Sequence, residues 1–156
     1  MSAADGRGAP DPGSIAVGDP ITPLVVDVTA TRIVAGAIAT RDFMPAHHDR
    51  DFAQAQGAPD IFMNILSDTA YCSRFLTDWA GPEAMVTRLA IRLGVPVFPG
   101  HTLTYRGEVT GVHRQDGTVT MEIGFRAAGE IGDHVTGTAE LRLPAPGSSP
   151  PVNPPG

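Results

Sequence analysis

From Pro59 to Trp79 the chain reads PDIFMNILSDTAYCSRFLTDW, and this run constrains everything around it. Ile61, Ile65, Thr69, Cys72, Phe75, Leu76 and Trp79 recur at intervals of three and four. Phe62, Met63, Leu66 and Ala70 widen the apolar face beyond a single stripe. So apolar a helix cannot lie on a surface, and the spacing predicts one largely enclosed by other elements. Pro59 and Asp60 are expected to open it, with the acid complementing the free N–H groups of the first turn. Gly81-Pro82 stops it. About twenty residues at about 1.5 Å each make a rod of about 30 Å.

The remaining chain must supply the enclosure. After Gly81 the apolar period changes from helical to two. Met85 to Leu93 reads as a strand, GVPVFPG as a turn, and Thr102 to Arg114 as a longer strand in which Gly107 and Gly111 mark a bulge or bend. Gln115-Asp116-Gly117 carries a hairpin signal. Val119, Met121, Ile123 and Phe125 then alternate on the return strand, and Val135, Gly137, Ala139, Leu141 and Leu143 on the last. Upstream, Ile21 to Thr29 reads as a strand, Thr31 to Thr40 as a helix, and Arg50 to Gln56 as one or two helical turns closed by Gly57. The pattern is α+β, an antiparallel sheet wrapped around a long central helix. Residues 1–17 hold hardly any large apolar side chain, and residues 144–156 are rich in proline. Both segments are expected to be disordered, leaving one domain over 18–143.

Composition removes several kinds of function. A net charge of −6 does not suit nonspecific nucleic-acid binding. No apolar run approaches 18 residues and the N-terminus has no apolar signal core, so no membrane span is expected and the expected location is cytoplasmic. Cys72 is the single cysteine, which excludes an intrachain disulfide, and its place in the apolar helix suits an inert thiol. All 11 basic residues are Arg, so neither a Schiff base nor a Walker lysine is available.

The chemistry is concentrated in the loop before the helix, Arg41 to Asp49. Asp42 and His47 there are either a turn-capping pair or two groups that trade protons. His48 and Asp49 suit a solvated continuation and a helix cap. No metal site is expected, because the H-x-x-x-H spacing is missing. His101, His113 and His134 fall on strand or turn positions with no chemistry assigned to them. Asn64 is either a site residue or a buried polar group bonded to backbone.

The segment Asp42-Phe43-Met44-Pro45-Ala46-His47 resembles the D-x-N-P-x-H loop of the MaoC-like, R-specific enoyl-CoA hydratases, with Met44 where that motif has Asn. HHDRDFA, GAPDIFMNIL and RFLTDWAGP resemble one branch, the small MaoC-like subunit of bacterial enoyl-CoA hydratases that degrade steroid side chains. The similarity covers residues 18–143. It implies a hotdog fold and water addition to a 2-enoyl-CoA, with a bulky, steroid-derived acyl group. It also implies catalysis by Asp42 and His47 with no cofactor beyond the CoA of the substrate. A thioester-oxygen donor is implied near Met63-Asn64, where the family has His-Gly. The implied assembly is a homodimer, or a heteromer with a second MaoC-like hotdog subunit. Arg88, Arg92 and Arg106 are candidates for the CoA phosphates, and Arg41 for keeping Asp42 ionised. Two other readings stand beside it. One is a hotdog acyl-CoA thioesterase using the helix acid Asp68, and the other is a non-catalytic subunit completing a partner's site.

Overall fold

The computed structural model describes residues 9–147, and within them five antiparallel strands curl around one helix. The elements run β1 (Leu24–Asp27), α1 (Ala30–Ala39), a 3₁₀ turn (Pro45–His47), α2 (Arg50–Ala55), α3 (Ile65–Ala80), β2 (Met85–Leu93), β3 (Thr102–Gln115), β4 (Thr118–Gly129) and β5 (Gly132–Pro144). The sheet order is β1-β3-β4-β5-β2. This is the hotdog arrangement, with α3 as its filling.

Period-two alternation sets the inner face of the sheet. Val119, Met121, Ile123, Phe125 and Ala127 of β4 are all buried, as are Val135, Ala139, Leu141 and Leu143 of β5. The β3–β4 hairpin turns on Asp116 (φ 51°) and Gly117 (φ 72°), the two positive values that a type I′ turn requires. Pairing slips between Val109 and Gly111, which makes Thr110 the extra residue of the expected bulge. At the other end of the sheet, Ala127 faces Val135 and Ala128 faces Asp133, so His134 is extra and is turned inward. Against this face α3 buries Cys72, Phe75, Leu76 and Ala80. The Phe75 ring lies 5.9 Å from Tyr105 and 6.1 Å from Phe125.

Four expectations need correction. The helix begins at Ile65 rather than Asp60, because residues 61–63 spend their backbone elsewhere. Phe62 N–H reaches the Ala46 carbonyl and Met63 N–H the Val97 carbonyl, both at 3.3 Å. The helix is also enclosed on one side only, since Ile65 and Leu66 remain about half exposed. The lead-in expected to be disordered is docked where it is described. Ile15 is buried, and Arg114 Nη2 donates to the carbonyls of Pro12, Gly13 and Ile15 at 3.3, 3.3 and 2.7 Å. The disorder expected for residues 1–8 and 148–156 lies outside the described residues. The strand expected over 21–29 is regular only over β1, since Pro23 has no N–H to give a ladder and Thr29 instead caps α1 by accepting from Arg32 N–H.

Candidate active site

The end of α1 sets the position of Asp42. Arg41 is left-handed (φ 57°), its N–H bonds the Ile38 carbonyl, and the Asp42 N–H bonds the Ala37 carbonyl at 2.9 Å. That is a Schellman closure with arginine at the position usually given to glycine. It reverses the chain so that Asp42 faces the start of α3. Pro45 then opens the 3₁₀ turn that carries His47, and Asp49 caps α2 by accepting from Phe52 N–H at 3.0 Å.

The imidazole of His47 is buried and edge-on to the Phe62 ring, with centroids 5.0 Å apart. Its Nδ1 lies 2.8 Å from the Phe62 carbonyl oxygen. A carbonyl only accepts, so Nδ1 carries the hydrogen and Nε2 of the neutral ring carries the lone pair. That lone pair faces Asp42 Oδ2 across 3.5 Å. Asp42 Oδ2 also accepts from Asn64 Nδ2 at 2.9 Å, and Oδ1 from Met44 N–H at 3.4 Å. The Asn64 bond, ahead of the Met44 N–H, holds the Asp42 carboxyl below the usual carboxylate range against the opposing effect of burial.

The structure brings Asp42, His47 and Asn64 together, but it changes what Asn64 and Met63 can do. Asn64 is 3 % exposed and serves as the N-cap of α3, its Oδ1 accepting from Ser67 N–H at 3.0 Å. Its two amide hydrogens go to Asp42 Oδ2 and Thr40 Oγ1, each at 2.9 Å. Neither is left for a substrate. Met63 is buried in the core with its N–H turned to Val97. His48 is exposed and bonds the Phe43 carbonyl. Arg41, Arg88, Arg92 and Arg106 are exposed, and among the described residues no hydrogen bond or ion pair joins them to the Asp42/His47 pair.

A second acid–imidazole pair escaped the sequence reasoning. Asp68 Oδ1 lies 2.8 Å from His134 Nε2, and His134 Nδ1 lies 2.6 Å from the Val95 carbonyl. The two residues are 0 % and 3 % exposed. Strict alternation with Val135 and Gly137 would put His134 on the outer face, and only the bulge brings it in. Asp68 did carry a signal, because it stands one turn before Cys72 on the buried face of α3. Beside it, burial and then the charge of Asp68 push the Cys72 thiol up to about 12, an inert group. Phe43 and Met44 of the loop that carries the Asp42/His47 pair stay exposed, as do Ile38 of α1 and Ile65 and Leu66 of α3. No described helix is long and apolar enough to cross a membrane.

Residues 15–130 match the MaoC like domain family. The chain is 51 % identical over 113 residues to the 3-oxo-4,17-pregnadiene-20-carboxyl-CoA hydratase beta subunit of Mycobacterium tuberculosis, covering 72 % of this chain and 84 % of that one. It superimposes on a chain of the ChsH1–ChsH2 complex of the same organism with a TM-score of 0.75, at 46 % identity over 82 % of this chain and 98 % of the other. The (R)-hydratase of A. caviae involved in PHA biosynthesis gives a TM-score of 0.75 at 26 % identity, over 84 % of this chain and 98 % of that one.

Proposed function

Because the chain belongs to the MaoC-like family, we propose that it adds water across the 2,3 double bond of an enoyl-CoA thioester, with Asp42 and His47 as the catalytic pair. The supporting observation is the commitment of His47 Nδ1 to the Phe62 carbonyl, which leaves the Nε2 lone pair facing Asp42 Oδ2. A water held between them gives one hydrogen bond to each. As its oxygen attacks C3, the proton passes to Nε2 and the π electrons move onto the thioester oxygen. The imidazolium then returns a proton to C2 as the carbonyl re-forms, so one H and one OH are added and the enzyme is restored. Asp42, kept ionised by Asn64, orients the water and stabilises the imidazolium. The thioester oxygen falls to the N–H groups of Ile65 and Leu66, which have no intrahelical acceptor at the start of α3. CoA enters only as part of the substrate.

The acyl group belongs to the same proposal. The identity to a beta subunit that acts on a pregnadiene carboxyl-CoA supports a bulky, steroid-derived acyl chain. A second MaoC-like hotdog chain covers the exposed apolar residues of the loop, α1 and α3 and the open edge of β2, closing the cleft. The thioesterase reading loses its acid, since Asp68 is sealed against His134 and cannot reach a bound carbonyl. A non-catalytic role has no support in a chain that keeps both residues in register. A cytoplasmic location follows from the CoA thioester, an intracellular metabolite.

The test is hydration of 2-enoyl-CoAs of increasing bulk by the chain alone and co-expressed with a MaoC-like partner. Asp42→Asn and His47→Ala should each lower turnover at least ~10²-fold, the scale of a positioned acid–base group, while remaining folded. Near-wild-type turnover in either variant overturns the assignment.

A further inference from the structure

We propose that Asn64 is the positioning residue of the catalytic pair, its amide joining the end of α1, the acid-bearing loop and the start of α3 into one unit. The inference rests on the Asp42/His47 reading and assigns Asn64 a role in place of substrate contact. The amide orientation is fixed by chemistry rather than choice. Ser67 N–H can only donate, so the atom 3.0 Å from it is Oδ1, and Nδ2 must face the other way. There it meets two oxygens. Thr40 Oγ1 gives its own hydrogen to the Gly36 carbonyl at 2.8 Å and accepts from Asn64, while Asp42 Oδ2 accepts the second hydrogen. Each end of the amide is thus tied to a helix terminus, and the carboxylate between them is aimed at His47.

The position suits an amide and little else. At 3 % exposure Asn64 has no water to replace a lost partner, and a cap residue without a donor would leave Asp42 Oδ2 with His47 alone. His47, from the 3₁₀ turn, is the titratable group that faces Asp42. The helices packed against it offer Thr40 and Asn64, both uncharged, and Arg41 on the same loop is exposed.

Two substitutions separate capping from positioning. Asn64→Asp still accepts from Ser67 N–H but sets a second carboxylate beside Asp42, and Asn64→Ser caps without reaching Asp42. Both are to be made in the assembled protein. The side-chain carbon of Asp42 is then followed by NMR through a pH titration, beside the pH profile of hydration. Positioning requires the Asp42 titration and the acid limb of kcat to move upward, most in Asn64→Asp. It also requires kcat near neutrality to fall at least ~10-fold with KM within about twofold. An Asp42 titration unchanged in both variants, or a loss confined to KM, overturns it. Should Asn64→Asp fail to fold, Asn64→Ser and Thr40→Val decide by the same titration. If the wild-type chain hydrates no enoyl-CoA, the functional reading fails, while the titration still decides the role of Asn64.

Discussion

Replacing Asp68 with alanine removes the acceptor at His134 Nε2 and leaves an imidazole sealed in the core. The pair spans 2.8 Å, and its members are 0 % and 3 % exposed. Breaking so buried a pair from one side costs about 3–5 kcal/mol, against a typical domain stability of about 5–15 kcal/mol. For a chain of this size that corresponds to a fall in Tm of roughly 6–20 °C. The loss should depend on pH. Burial disfavours the charged ring, but the hydrogen bond and charge of Asp68 and the Val95 carbonyl outweigh it, so His134 titrates above its ordinary 6.5. A raised folded value means that the contribution is complete below about 6.5, the unfolded value, and is lost as pH rises through the folded one. The gap between wild type and Asp68→Ala should therefore be wide near pH ~6 and narrower near pH ~9, conditions that bracket the ordinary histidine value. Urea unfolding of the assembled protein at fixed concentration measures it. A cost below about 1 kcal/mol at pH ~6, or one independent of pH, would refute the buried-pair argument. Replacing both residues with leucine should cost less than Asp68→Ala alone, since no charge is then stranded.

A Cβ at Gly36 would collide with Ser67 Oγ, so Gly36→Ala should cost about 1–3 kcal/mol in thermal unfolding, with part recovered by Ser67→Gly. Deleting residues 1–16 should lower stability by about 1.5–3 kcal/mol through the lost burial of Ile15, and a deletion with no effect would show that the docked lead-in contributes nothing. Phe43 is 67 % exposed, so Phe43→Asp should leave the fold intact while reducing the mass seen by light scattering with a partner present. His48→Ala should hold turnover within about threefold, because that ring is exposed and bonds only the Phe43 carbonyl.

The parts of this molecule that were legible in the sequence are those governed by apolar period. The alternation of β4 and β5, the Asp-Gly hairpin and the buried core of α3 all follow from side-chain spacing, and so does the sheet that encloses the helix. The Asp42/His47 loop was legible because its residues are close in sequence and its turn is set by Pro45. The misreadings arose where a backbone group finds a partner far along the chain. Asp60 and Asn64 are equally good caps by residue type. The choice between them falls to the N–H groups of Phe62 and Met63, which are drawn to Ala46 and Val97, 16 and 34 residues away. Once the helix starts at Ile65, Asn64 is buried beside Thr40 and Asp42, and its amide donates to both. The same logic governs His134. One inserted residue opposite Ala127 and Ala128 turns an outer-face histidine into the partner of a buried carboxylate. Ile15, in turn, is held by Arg114, 99 residues away. Each of these depends on a pairing that local spacing does not encode, and two of them set the positions of the polar groups at the start of α3. The chemistry of this fold is thus decided less by which residues the loop carries than by where the helix behind it is allowed to begin.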